Sequence, residues 1–286
     1  MRIDAHQHFW SYRPARDLWI TDEMSVLKRD FLPQHLLPEL LSAGIDATVA
    51  VQADPSEQET RFLLSLAENH PAIVGVVGWV DLCAPDIADR LADWRKFEEL
   101  RGFRHLVQGE PNERFVLRAD FQRGIACLAQ FGFTYDILIY PKHLPAVLEL
   151  VGAHPRQPFV LDHLGKPEVK AGKLQPWAGL MRELAVAPNV FCKLSGLITE
   201  ADWGHWQLGD FKPYLDVVFE SFGPKRLMFG SDWPVCLLAG SYCQVLNLIS
   251  SYLVGRPGDE QAAIFGDNAA RFYGLKAVRD EPGPRQ

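Results

Sequence analysis

Ile3-Asp4-Ala5-His6-Gln7-His8-Phe9-Trp10 decides how the rest of this 286-residue chain is to be read. Its first half is a short apolar run suited to a β-strand, and the turn that follows contains no glycine. A doubly wound nucleotide-binding sheet would want a glycine-rich phosphate turn at this point. Working outward, runs rich in Val, Ile, Leu and Phe recur at 3–6, 46–52, 73–79, 102–108, 133–140, 158–163, 189–194 and 226–232. Between them, residues 57–69, 86–99, 121–131, 144–153 and 214–222 carry apolar side chains at helical spacing. Gly44, Gly132, Gly152 and Gly223 fall where helices should stop, and Pro71, Pro155, Pro188 and Pro224 follow helix ends. Eight strand–helix alternations in a chain of this size predict an α/β protein with one (β/α)₈ barrel over residues 1–278. The charged, proline-containing stretch 279–286 reads as a loose tail. Residues 10–33 form a long first βα loop, suited to a lid over the barrel mouth.

Nearly half of the residues are apolar and under a quarter are charged, as in ordinary globular enzymes. The net charge of −7 is mild, and Lys and Arg are scattered. Such a balance leaves no electrostatic footprint for nucleic acid or a membrane surface, so small solutes are the expected partners. The first residues lack a basic segment followed by an apolar stretch, and no run is long enough to span a membrane. The five cysteines form no CxxC pair, and four sit among apolar neighbours, which predicts buried reduced thiols and a cytoplasmic home. No feature specifies an oligomeric state.

In a (β/α)₈ barrel the active site forms at the C-terminal ends of the strands. The first run ends in His6 and His8, the sixth in Asp162 and His163, and the eighth in Asp232. Alternate side chains of a strand share a face, so His6 and His8 can grip one small object. Neutral imidazole is the commonest protein metal ligand. An aspartate at a buried strand end is costly to leave unpaired, which favours a functional reading of Asp232.

Arg104 and Lys142 are candidate substrate clamps, the competing accounts being an ion pair from Arg104 to Asp136 and a solvated loop position for Lys142. Trp10, Trp19, Trp79 and Trp233 gather near strand ends, and flat aromatic faces suit the C–H surface of a sugar ring. Of the other histidines, His35, His70, His154 and His205 lack useful partners, His105 should face away from Arg104, and His143 reads as a helix start. Ser195 and Ser231 lie in turns with no evident base, no Gly-x-Ser-x-Gly elbow is present, and no cysteine is placed as a nucleophile.

Three stretches together resemble the amidohydrolase superfamily: the opening Ile3-Asp4-Ala5-His6-x-His8, then Leu161-Asp162-His163-Leu164-Gly165-Lys166-Pro167, and Met228-Phe229-Gly230-Ser231-Asp232-Trp233-Pro234. They look most like its sugar-lactonase branch, which includes L-fuconolactone and L-rhamnonolactone hydrolases and relatives of pyrone-dicarboxylate lactonase. Gly102-Phe103-Arg104-His105 and Tyr135-Asp136-Ile137-Leu138 match the same branch, so the resemblance spans nearly the whole chain. It implies a distorted (β/α)₈ TIM barrel that hydrolyses esters, amides or lactones. It also puts His6, His8, His163 and Asp232 on metal- and water-handling positions.

Binuclear members carry a bridging Lys or Glu on the fourth strand and a His on the fifth. Residues 104–108 and 136–140 offer neither, so at most one divalent ion, zinc or manganese, is expected, and close relatives work with none. A lactone needs only water activation and stabilisation of an oxyanion. Asp232 would be the general base. His6, His8 and His163 would polarise the carbonyl or protonate the departing ring oxygen. A lactone has a better leaving group than an amide. The resemblance therefore implies a lactonase acting on a sugar acid such as L-fuconate or L-rhamnonate. The alternatives are a metal-dependent decarboxylase and a barrel that binds sugar acids without turnover.

Overall fold

The computed structural model describes residues 1–276, and the stretch 279–286 read as a tail lies outside them. Eight strands, β1 (Ile3–Gln7), β2 (Ala47–Val51), β3 (Ile73–Gly78), β4 (Leu100–His105), β5 (Thr134–Ile137), β6 (Phe159–Leu161), β7 (Val190–Leu194) and β8 (Leu227–Phe229), pair in sequence order. Every pairing is parallel. Strands covered on both faces read as continuous apolar runs, which is why they were visible in the sequence.

The barrel closes at a seam between β1 and the end of β8. There the Asp232 N–H donates to the His6 carbonyl at 2.8 Å and the His8 N–H to the Trp233 carbonyl at 2.7 Å. The seam is made of candidate site residues themselves. Gly230 is required in it, because a Cβ at that position would lie 2.6 Å from the His6 Cβ.

Helices α1 (Pro33–Ala43), α2 (Glu57–Asn69), α3 (Ile87–Trp94), α4 (Ala119–Phe131), α5 (Leu144–Ala153), α6 (Trp177–Leu184), α7 (Leu208–Phe222) and α8 (Tyr242–Tyr252) wrap the strands. Helix α2 begins at Ser56, whose hydroxyl accepts the Glu59 N–H at 3.2 Å. Helices α1 and α4 end at Gly44 and Gly132, both left-handed. Three expectations shift: α3 ends at Trp94 rather than 99, α7 starts at Leu208 rather than 214, and Gly152 lies inside α5. Pro213, the sixth residue of α7, forgoes a bond to the Gly209 carbonyl, yet the helix runs through it from Leu208.

Ile3, Val49, Val51, Val77, Val160 and Met228 pack with Tyr273 in one cluster that fills the inside of the barrel. A larger layer, including Phe103, Tyr135, Phe159 and Leu161, lies between strands and helices. The cysteine expectation is corrected: Cys192 and Cys236 are buried, Cys83 and Cys127 are half-buried, and Cys243 is exposed on α8. An apolar sequence neighbourhood does not bury a residue on the outward face of an amphipathic helix. No helix among the described residues is long and apolar enough to cross a membrane.

Candidate active site

Polar residues of the barrel interior continue the strand alternation. On β7, Val190, Cys192 and Leu194 belong to the layer under the helices, and Lys193 points the other way. Arg104 on β4, Asp136 on β5 and Asp162 just past β6 meet it. The Lys193 ammonium bonds Asp136, lies 3.0 Å from Asp162 Oδ1 and 3.1 Å from His6 Nδ1. The Arg104 guanidinium lies 3.0 Å from Asp162 Oδ2 and donates to the Gln52 carbonyl. Asp136 also accepts from Tyr273 at 2.7 Å. Arg104 therefore pairs with Asp162 rather than Asp136, its two terminal nitrogens are engaged below the mouth, and its buried Nε has no partner among the described residues. All these groups are buried.

Above this layer stand His6, His8, His163 and Asp232, brought together from three strand ends. His6 Nε2 and His8 Nε2 are 3.2 Å apart. Asp232 Oδ1 lies 3.3 Å from His8 Nε2, 3.8 Å from His6 Nε2 and 4.0 Å from His163 Nε2. Each ring is oriented by its other nitrogen: His8 Nδ1 meets the Val51 carbonyl at 2.7 Å, His6 Nδ1 meets Asp162 at 3.3 Å, and His163 Nδ1 meets Ser195 Oγ at 2.9 Å. The Val51 carbonyl accepts only, so His8 donates through Nδ1 and turns its Nε2 lone pair into the cluster, whereas His6 Nδ1 lies between the Asp162 carboxylate and the donor-only Lys193 ammonium.

Tetrahedral ligation with nitrogen about 2.0–2.1 Å from zinc puts neighbouring donors about 3.3 Å apart. The His6–His8 and His8–Asp232 separations fit that spacing. His6, His8 and Asp232 thus make a donor set suited to one divalent ion, with His163 beside it.

The backbone is built for this arrangement. Asp232 has φ 56°, in the left-handed region. The Asp4 carboxylate accepts from the N–H of Ser231 at 2.9 Å, of His6 at 3.2 Å, and from the Tyr242 hydroxyl at 3.1 Å, tying β1 to the β8 loop. Gly196 (φ 63°) leaves room for the His163 ring, since a Cβ there would lie 2.4 Å from its Nδ1.

Burial would raise the Asp232 carboxyl, but His163, the His8 contact and His6 outweigh it and hold it well below the usual carboxylate range. Burial pushes His163 down to about 4 despite Asp232 and Asp162, and holds His6 low as well. A charged carboxylate beside the neutral imidazoles of His6 and His163 is the protonation state that a cation site or a water-activating base needs. Burial lifts Asp136 to about 6, offset in part by Lys193.

The remaining candidates are placed variously. Trp233 is buried against Phe9 and Phe31, and Trp10 packs edge-to-face on Trp19 and Phe31. Trp10 and Phe31 exchange backbone hydrogen bonds of 2.9 Å, which pins both ends of the first loop. Trp19 is 42% exposed on that loop, leaving a face open to solvent. Trp79 follows Gly75 and Val77 in alternation, so it points to the mouth, and its buried indole N–H has no partner among the described residues. Lys142 stays outside the cluster, 3.5 Å from Glu113 and half exposed. His105 does face away, 2.7 Å from Glu110 and stacked on Phe115. His143 closes a short turn before α5.

Ser195 has the histidine partner that its sequence context did not reveal, whereas Ser231 accepts from the Trp233 N–H at 3.0 Å. Sequence reasoning missed Lys193, Asp4 and Ser195. Strand parity alone would have turned Lys193 inward.

Three comparisons bear on this site. A family model described as amidohydrolase matches residues 3–275. L-fucono-1,5-lactonases of Burkholderia multivorans and Burkholderia ambifaria are 46% and 37% identical to the chain, covering 98% and 95% of it and the same shares of their own lengths. A crystal structure of an amidohydrolase from Burkholderia multivorans with bound zinc has a TM-score of 0.94 and 46% identity, over 96% of this chain and 100% of that one.

Proposed function

The chain belongs to the amidohydrolase family, and from that membership we propose that it opens the ring of L-fucono-1,5-lactone. It is a hydrolase of sugar-acid lactones. The 46% identity to an L-fucono-1,5-lactonase, end to end, carries the narrower reading. The donor set of His6, His8, His163 and Asp232 at the barrel mouth supports it. These residues suit one divalent ion, and the zinc in the related crystal structure makes zinc our choice over manganese. Such an ion, when bound, supplies Lewis-acid polarisation of the carbonyl.

The protein's own groups do the rest. Asp232, charged throughout the working pH range, takes a proton from the attacking water. Asp162 and Lys193 fix the His6 ring, and the Val51 carbonyl fixes that of His8. His163 is neutral and 4.0 Å from Asp232, so its ring can relay the proton that Asp232 took from water to the ring oxygen as the C–O bond breaks. Ser195 holds that ring in register. The tryptophans of the first loop and Trp79 would wall the sugar ring. A cytoplasmic setting and the absence of a nucleic-acid partner remain part of the proposal, on the charge and cysteine pattern of the sequence.

A pH-indicator assay over a panel of lactones tests it, since ring opening releases an acid. kcat/KM for L-fucono-1,5-lactone should exceed that for γ-butyrolactone by at least ~100-fold, because buried donors built for hydroxyls are left unpaired by a plain ring. Comparable rates on the two would remove the sugar assignment. Activity confined to aromatic pyrones would move the chain to another branch of the family.

A further inference from the structure

Lys166 and Glu200 take no part in the cluster above, yet both stand over it. His163, Leu164 and Lys166 have φ of 54°, 53° and 54°, with Gly165 at 69°, so four consecutive residues are left-handed. The left-handed region is costly for each non-glycine residue there, and such runs persist only where the surroundings over-determine them, often at functional sites. The turn closes with the Lys166 N–H donating to the His163 carbonyl at 2.8 Å, and the Trp177 indole N–H anchors the Leu164 carbonyl at 2.8 Å. Residues three apart in so tight a turn eclipse one another, so the Lys166 side chain rises on the same side as the His163 ring.

Its ammonium is 3.6 Å from Glu200 Oε1 and 5.4 Å from the centre of the Tyr140 ring. These three residues come from the loops after β6, β7 and β5, so they form one wall of the mouth. Lys166 adds a positive field at His163, and Asp232 a negative one at Glu200, which sets the pair within electrostatic reach of the reaction centre. The Glu200 carboxylate is mostly buried, and among the described residues its ion-pair partner is Lys166, beyond good hydrogen-bonding distance. A partly wetted pair of this kind contributes too little to account for the turn. Both groups keep hydrogen-bonding capacity for a ligand.

We propose that Lys166 and Glu200 recognise adjacent ring hydroxyls of the lactone, the ammonium donating to one oxygen and the carboxylate accepting from its neighbour. The inference rests on the sugar-lactone reading and names the residues that make the site sugar-specific. Arg104 and Lys142, the cations first considered for that task, are otherwise engaged by Asp162 and Glu113.

The test compares Lys166→Met and Glu200→Gln with wild type on L-fucono-1,5-lactone and on δ-valerolactone, which has the reacting ester but no hydroxyls. Each variant should lose about 30-fold or more in kcat/KM on the sugar lactone, chiefly through KM, and stay within about 3-fold of wild type on δ-valerolactone. An equal fall on both substrates would mean that the pair only supports the His163 turn, and unchanged rates on both would mean that it has no role; either overturns the proposal. Wild-type protein inert towards every hydroxylated lactone would overturn the parent reading, and this one with it.

Discussion

Asp232 is the residue on which the proposed chemistry turns. Its carboxylate is buried yet kept charged by three imidazoles, and its left-handed backbone is held by the Asp4 strap. Asp232→Asn preserves the shape and removes the proton acceptor. kcat should fall about 10²–10⁴-fold, the usual range for loss of a general base, with the thermal midpoint little changed. Near-wild-type turnover in that variant would assign the base elsewhere. His163 and Ser195 show how a residue's surroundings escape a one-dimensional reading. The two are 32 positions apart, and only the packing of β6 beside β7, with Gly196 making room, puts hydroxyl and ring nitrogen at 2.9 Å.

At the scale of elements, the barrel was legible because parallel strands are covered on both faces and announce themselves as apolar runs. The runs overshot the strands at their C-terminal ends: 133–140 gives β5 (Thr134–Ile137), and 226–232 gives β8 (Leu227–Phe229). The surplus residues are the loops that build the mouth. His6, His8, His163 and Asp232 were legible because they finish strands. Lys193 was not, since a lysine in a strand is ordinarily taken to face solvent, although its parity opposite Cys192 and Leu194 puts it on the inward face. Lys166 and Glu200 were given no role either, because a left-handed turn at His163 cannot be foreseen from Asp-His-Leu-Gly-Lys.

Glu59, on the first turn of α2, gives the elements a pH signature. Burial pushes its carboxyl up to about 7, only partly offset by the Ala53 N–H that it accepts and by Arg16. Its ordinary value is 4.5, so the folded state holds this proton more tightly than the unfolded chain does. The stabilisation is fully present below about pH 4.5 and is lost as pH rises through about 7. At about 1.4 kcal/mol per unit, it is bounded near ~3 kcal/mol. Urea unfolding of Glu59→Gln should therefore gain on wild type progressively from pH 5 to pH 8. Parallel stability curves across that range would show that Glu59 is not held protonated.

For the whole molecule, the charges enclosed by the barrel limit what it can hold. Asp136, Asp162 and Asp232 face Arg104 and Lys193, leaving one net negative charge once all are ionised. One divalent cation turns that into a single positive charge, which the lactone oxyanion can meet. A second would leave three, deep in a barrel whose other carboxylates, Asp136 and Asp162, are already held by Lys193 and Arg104. Arg104 and Lys193 lie 3.4 Å and 3.1 Å from opposite nitrogens of His6 and weaken its pull on a cation. Elemental analysis of protein purified without added metal should find one equivalent of zinc or fewer. Titrated zinc should raise the thermal midpoint as RT ln(1 + [Zn]/Kd) for a single site, saturating at one equivalent in a binding isotherm. His8→Ala should remove that rise, because it deletes the donor nearest Asp232 while leaving Arg104, Asp162 and Lys193 paired. Two tightly held equivalents would mean that a carboxylate of the lower layer, Asp162 or Asp136, leaves its cation to bridge the metals.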